Sequence, residues 1–204
     1  MTRSFTLLDG GMGKLLQAMG APFRQPEWSA LALMEAPETV TAAHQAFVDA
    51  GADVIITNNY AVVPFHLGDD VFAERGVELT ELSGRLAREV ADRADREVLV
   101  AGSIPPLFGS YEPDDFDAER APEHLRRITD ALAPHVDLFL PETQSLLAEA
   151  VASAEAAAPH GKPLWVAVTL TDLPPSGERE LLRSGETVTD AAATAVAVGA
   201  EALL

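Results

Sequence analysis

The chain contains no cysteine among its 204 residues. That excludes disulfides within it, and any metal site here built from thiolates. Basic residues are scarce too: 14 Lys and Arg stand against 32 Asp and Glu, for a net charge of −18. Phosphate polymers are held by clustered Lys and Arg, so the composition argues against nucleic acid as a partner. No apolar run reaches the length of a membrane span, and no basic segment followed by an apolar one opens the chain. A soluble, cytoplasmic protein with no membrane partner is expected. The histidines His44, His66, His124, His135 and His160 lack tight ligand spacing and read as helix or surface residues, not metal ligands.

What the chain does have is a hydrophobic fraction of 48%, enough for one sizeable core. Short apolar runs at residues 5–8, 53–57, 98–101, 138–140, 164–170 and 202–204 read as buried strands. Helical patterns separate them. Val40, Ala43, Phe47 and Ala50 form one apolar stripe, and Leu79, Leu82, Leu86 and Val90 a second. Leu125, Ile128 and Leu132 form a third, with Pro122 suited to a first turn; Leu147, Ala150, Val151 and Ala154 form a fourth. A last helix spans residues 189–198 and is closed by Gly199.

Regular alternation of this kind predicts a parallel sheet flanked by helices. Both an open doubly wound sheet and a closed barrel fit that order. Asp9, Asn58, Ser103, Glu142 and Thr169 each stand at or just past the C-terminal end of a separate strand. In a barrel those ends converge on one rim, whereas an open sheet shares a site only beside its switch point. The expected fold is therefore an α/β (β/α)8 TIM barrel, incomplete, with five β/α units plus the start of strand six. At about 40 residues per unit, eight units need on the order of 300 residues.

The final segment, Val198-Gly199-Ala200-Glu201-Ala202-Leu203-Leu204, repeats the pattern of Ala50-Gly51-Ala52-Asp53-Val54-Ile55-Ile56. In both, a glycine closes a helix, an acid follows and an apolar strand begins. The first copy runs on into a polar cluster; the second stops. Residues 1–204 are thus expected to be a single barrel domain, truncated at its C-terminal end, from a larger enzyme.

Three clusters carry chemistry. Asp9-Gly10-Gly11-Met12-Gly13 follows a strand and opens a helix, which suits either a tight turn or the close approach of a zwitterionic amino acid. A phosphate loop is excluded, because Lys14 is followed by Leu15 and the spacing is wrong. Thr57-Asn58-Asn59-Tyr60 is either a strand-ending turn or a polar surface facing water or a ligand. Glu142, in Pro141-Glu142-Thr143, leaves a buried strand, so its carboxylate calls for a ligand ammonium or a structural Arg.

With Trp28-Ser29-Ala30, Ala50-Gly51-Ala52-Asp53, Ala101-Gly102-Ser103, Glu142-Thr143 and Arg183-Ser184-Gly185-Glu186, these clusters resemble, in order along the chain, the homocysteine S-methyltransferases. The resemblance implies a (β/α)8 barrel that moves a methyl group onto the sulfur of homocysteine, giving methionine. The donors it implies include S-methylmethionine, S-adenosylmethionine, betaine and methyl-cobalamin systems. It assigns Asp9 and Glu142 to the amino group of homocysteine and Gly10 and Gly11 to close backbone contact. Asn58, Tyr60 and Ser103 would shape the pocket. Ser103-Ile104-Pro105-Pro106 departs from the family, which usually has a glycine before the proline. The family also implies zinc held by three cysteines, one after the sixth strand and an adjacent pair near the barrel's end. This sequence contains none of them. Two other readings stand beside this one: an amino-acid-binding module or remnant that transfers nothing, and an unrelated barrel enzyme.

Overall fold

The computed structural model describes residues 5–172 and 180–204. They form two compact units. The first holds the described residues up to Ser103 together with Ala131–Leu138, the second Ile104–Asp130 and Phe139–Leu204.

In chain order the first unit contains α1 (Met12–Ala18), α2 (Ser29–Glu35), α3 (Pro37–Asp49), β1 (Val54–Ile56), α4 (Pro64–Leu67), α5 (Asp69–Arg93) and most of β2 (Leu99–Ile104). Strands β1 and β2 run parallel, with Val54 opposite Leu99 and Ile56 opposite Ala101. Helices α3 and α5 pack together, and α5 also packs on β1. Val40, Val54, Ile55, Leu79, Val90 and Val100 are wholly buried in this core. Each such side chain removed from water stabilises by about 1.5–3 kcal/mol. Asp69 and Asp70 open α5 and Arg93 closes it, matching the helix dipole at both ends.

The strand expected at residues 5–8 shrinks to one parallel bridge, Leu8 to Val54. Its ladder stops because the Leu7 carbonyl accepts both Asp53 N–H and Val54 N–H, while the Leu7 N–H donates 2.9 Å to the Asp53 carboxylate. Asp137 works the same way, accepting from Val100 N–H at 2.7 Å while its own N–H returns to the Val100 carbonyl. Arg96 and Arg88 stand beside these two carboxylates.

The second unit contains most of α6 (Ala121–Leu132), most of β3 (Leu138–Pro141), α7 (Leu147–Ala157), β4 (Trp165–Val166), α8 (Val188–Ala197) and β5 (Ala202–Leu203). Strands β4 and β5 are parallel, and Phe139 bridges in parallel to Leu164. The strand expected at residues 164–170 is continuous only at β4. Beyond it Val168 bridges Gln144 and Leu170 bridges Leu182, so the backbone changes partner every two residues. A capping box opens α8, with Thr187 and Asp190 each satisfying the other's backbone N–H.

The repeated glycine motif takes one conformation in both units. Gly51 has φ 100° and Gly199 φ 74°, each just past the end of its helix. Gly51 N–H bonds Val48 and Ala52 N–H bonds Phe47, while Gly199 N–H bonds Val196 and Ala200 N–H bonds Ala195. Both are Schellman turns, which need the left-handed residue that glycine supplies. The acid that follows then enters the ladder: Asp53 N–H reaches Leu7, and Glu201 N–H reaches Leu164.

The architecture is α/β with parallel strands, and among the described residues these strands do not close into a barrel. No described helix is long and apolar enough to cross a membrane. One expected stripe is displaced: α3 buries Val40, Ala43, His44 and Val48, leaving Phe47 half-buried and Ala50 exposed. His44 is therefore a core residue, with neither ring nitrogen hydrogen-bonded. Burial pushes its pKa from 6.5 down to about 4. As the pH falls from 6.5 to 4, the unfolded chain takes up a proton that the native state refuses. Stability is lost across that window, by up to about 3 kcal/mol. The His44→Leu variant should lack this acid-side loss and should be more stable at pH 7 by about 1–3 kcal/mol, since no polar atom is then buried unpaired. Urea unfolding of both proteins at pH 7 and pH 4.5 measures the two differences.

Candidate functional site

In the first unit Asp9 follows the Leu8 bridge. Its N–H donates to the Val54 carbonyl at 2.9 Å, and its Oδ2 accepts the Ile56 N–H at 2.8 Å. The half-buried carboxylate is thus fixed at the C-terminal end of β1. A Cβ on Gly10 would lie 3.2 Å from Phe47, so the bare backbone makes room for that ring. Gly11 precedes the first turn of the seven-residue α1.

Just past β1, Thr57, Asn58 and Asn59 are buried. The Thr57 hydroxyl donates 2.6 Å to Asn59 Oδ1 and accepts the Ser103 N–H at 2.9 Å. Asn59 Nδ2 donates to the Ser103 carbonyl at 2.9 Å. Asn58 Nδ2 reaches the Ser29 carbonyl at 3.3 Å, which joins this cluster to the Trp28-Ser29-Ala30 motif. Thr57, Asn58 and Asn59 thus bond one another and the backbone, since a buried amide or hydroxyl must find a partner inside. Ser103 is itself buried near the end of β2, while Tyr60 is half-buried with its ring 6.4 Å from that of His66. Asp9, Asn58 and Ser103 therefore all stand at the C-terminal end of this unit's parallel strands.

In the second unit Glu142 is the first residue after β3, half-buried, with its N–H on the Ile104 carbonyl at 3.1 Å. Thr143 follows with φ 59°. For a β-branched residue this left-handed conformation is an outlier that costs about 1–3 kcal/mol. It is held by what comes next. Gln144 is wholly buried; its N–H bonds the Ala167 carbonyl at 3.0 Å, and its side-chain amide returns to the Glu142 carbonyl at 2.9 Å. Ser145 meets Thr169, hydroxyl to hydroxyl, at 2.8 Å. Thr169 N–H in turn bonds the Gln144 carbonyl at 2.9 Å, so this residue braces the turn after Glu142.

Gln144, Ser145 and Glu149 escaped the sequence reading. Helix α7 buries Glu149, Ala150, Ser153, Ala154 and Ala157, while Leu147 and Val151 of the expected stripe are only half-buried. Glu149 Oε2 accepts the Ser145 N–H at 3.1 Å. Burial pushes its pKa from 4.5 up to about 7, against the pull of that bond. The Ser145-to-Glu149 spacing, a carboxylate in the first turn of a helix reaching back to the preceding chain, was the available signal.

No group of His, Cys, Asp and Glu side chains among the described residues could hold a metal ion. With no cysteine in the sequence, the residues present do not fit a thiolate-bound zinc.

The family model described as Homocysteine S-methyltransferase matches residues 6–204. The chain is 31% identical over 199 residues to Homocysteine S-methyltransferase 1 of Brassica oleracea var. italica, which covers 84% of this chain and 61% of that protein. It is 32% identical over 190 residues to the Homocysteine S-methyltransferase of Escherichia coli strain K12, covering 81% of this chain and 59% of that one. Among solved structures it is similar to the metallated form of the homocysteine methyltransferase MmuM from Escherichia coli. The TM-score is 0.83 at 28% identity, over 99% of this chain and 74% of that one. The chain thus spans 61% and 59% of the length of these two curated relatives.

Glu149 generates a prediction. Its folded pKa is raised, so the stability it contributes is fully present below pH 4.5 and is lost as the pH rises through about 7. Glu149→Gln keeps an acceptor for the Ser145 N–H but cannot ionise. Relative to the unaltered chain, the variant should gain up to about 3 kcal/mol between pH 4.5 and pH 8, read from urea midpoints at the two values.

Proposed function

Because the chain belongs to the homocysteine S-methyltransferase family, we propose that it binds homocysteine as a methyl acceptor. The whole protein would then methylate the thiol to give methionine, using a donor such as S-methylmethionine or S-adenosylmethionine. The observation that carries this reading is Glu142: a half-buried residue just past β3, followed by left-handed Thr143 in a hydrogen-bonded turn. A carboxylate so placed suits the ammonium of an amino acid. In the first unit the proposed contacts are Asp9, Gly10, Gly11, Asn58, Tyr60 and Ser103. The parallel β/α order is proposed to be part of a (β/α)8 barrel, and the setting to be cytoplasmic. Small-molecule partners fit the charge of −18, which repels phosphate polymers.

In the transfer itself a sulfur lone pair of the acceptor attacks the methyl carbon of a sulfonium donor. The carbon–sulfur bond of the donor breaks, and its electron pair stays on the departing sulfur. The acceptor must lose its proton, and a free thiol with a pKa of about 8.5 is mostly protonated at neutral pH. The contribution of the residues named here is to bind and orient homocysteine, which converts a bimolecular encounter into a positioned one. They offer no thiolate donor set for an activating metal. That same absence favours a second reading, in which this chain binds the amino acid without turning it over.

Two measurements test the proposal. In the whole protein Glu142→Ala should weaken homocysteine binding by about 2–4 kcal/mol, the scale of a lost charge-assisted contact. Unchanged affinity in calorimetry removes Glu142 from the site. The 204-residue chain, supplied with homocysteine and S-methylmethionine, should show no methyl transfer and no stoichiometric zinc. Turnover with bound zinc would require a different ligand set and a rebuilt mechanism.

A further inference from the structure

The motif Arg183-Ser184-Gly185-Glu186 has no part in the binding role just described, yet it is among the most tightly bonded segments of the second unit. Leu181 bridges Thr187, and Leu182 bridges Leu170, both antiparallel. The turn between them closes through Gly185, at φ 87°, whose N–H bonds the Leu182 carbonyl at 2.9 Å. Leu182 is wholly buried beneath it.

This turn grips the chain on both sides of Leu146. Ser184 N–H donates to the Ser145 carbonyl at 3.1 Å. Glu186 Oε2 accepts the Leu147 N–H at 2.9 Å and the Ser184 hydroxyl at 2.6 Å. Helix α7 has no local cap, since Leu146 occupies the capping position and carries no acceptor. Its first amide, that of Leu147, is taken by Glu186, thirty-nine positions along the chain, while Glu149 of the helix itself takes the Ser145 N–H just before it. The Ser145 and Leu147 groups held in this way lie two and four residues past Thr143, whose left-handed conformation persists only if its surroundings impose it.

We propose that Glu186 is a positioning residue for Glu142. By capping α7 at Leu147 while its hydrogen-bonded neighbour Ser184 holds the Ser145 carbonyl, it locks Thr143 in the left-handed conformation. That lock sets where the Glu142 carboxylate is presented. The inference rests on the reading of Glu142 as a binding carboxylate only where it concerns homocysteine; the lock itself is a property of the backbone.

The test compares Glu186→Ala and Glu186→Gln in the full chain by NMR. Loss of the charge-assisted cap in Glu186→Ala should speed amide exchange at Leu147 and Ser145 by about tenfold or more. The coupling constant and Cα shift of Thr143 should move out of their left-handed values. Glu186→Gln retains an acceptor and should restore both to within about threefold of the unaltered chain. Amides of β1 and β2 should not change in either variant. A Thr143 signal and a Leu147 exchange rate unaffected by Glu186→Ala overturn the proposal. If that variant does not fold, Ser184→Ala, which removes the hydroxyl that orients Glu186, must produce the same shift at Thr143 or the proposal fails.

Homocysteine titration of the same proteins separates the two ideas. A displaced Thr143 with unchanged affinity, or no binding by the unaltered chain, overturns the role given to Glu142 and leaves the lock standing on the NMR result. Affinity lost in Glu186→Ala with Thr143 undisturbed overturns the lock.

Discussion

A main-chain N–H at the end of a strand or helix must find an acceptor, and in this chain carboxylates supply many of them. Asp9 accepts from Ile56, Asp53 from Leu7 and Asp137 from Val100. Glu149 accepts from Ser145, Glu186 from Leu147 and Asp190 from Thr187. Each stands where a regular ladder has run out of carbonyls. Of these, Asp9 fixes the C-terminal end of β1, where Asn58 follows, while Asp53 and Asp137 act where strands begin. Part of the acidic excess thus serves the backbone, placed by main-chain need.

The elements built from local rules were legible in the sequence. Both Gly-Ala-acid-apolar motifs become Schellman turns feeding a strand, because helix termination by a left-handed glycine is decided within a few residues. Strand positions were also readable, although four apolar runs proved longer than the strands they hold, those at 5–8 and 164–170 most of all. Illegible were the places where a polar residue lies inside. His44 on α3 and Glu149 on α7 both occupy faces that an apolar stripe assigns to other residues. Period counting scores only hydrophobic positions, so a buried imidazole or carboxyl turns the inferred face away from the real one. The roles of Gln144 and Glu186 were hidden for another reason: Gln144 N–H bonds Ala167 and Glu186 bonds Leu147, and no spacing rule connects such distant partners.

The candidate site divides between these two kinds of information. Asp9, Asn58, Ser103 and Glu142 were found because each ends an apolar run. What holds them was not found. Asn58 is tied to Ser29 and Glu142 is followed by a strained Thr143, so each owes its geometry to a neighbour rather than to its own strand. Family membership adds homocysteine as the natural acceptor to propose, and the donor chemistry of these residues sets the limit. Carboxylates, amides and hydroxyls orient an amino acid well but do not make its sulfur more nucleophilic.

The capping carboxylates also bear on how the protein responds to ionic strength. A net charge of −18 makes the folded chain repel itself, and added salt relieves that over distances beyond about 8–10 Å. Hydrogen bonds of 2.7–3.1 Å between Asp137, Glu149 or Glu186 and main-chain amides are short and at least partly buried, which limits the access of mobile ions. Repulsion is screened while the caps are spared, so salt acts on the acidic residues selectively: it quiets those on the surface and leaves the architectural ones at work. An acidic chain built this way gains firmness in brine where one held by surface ion pairs would soften.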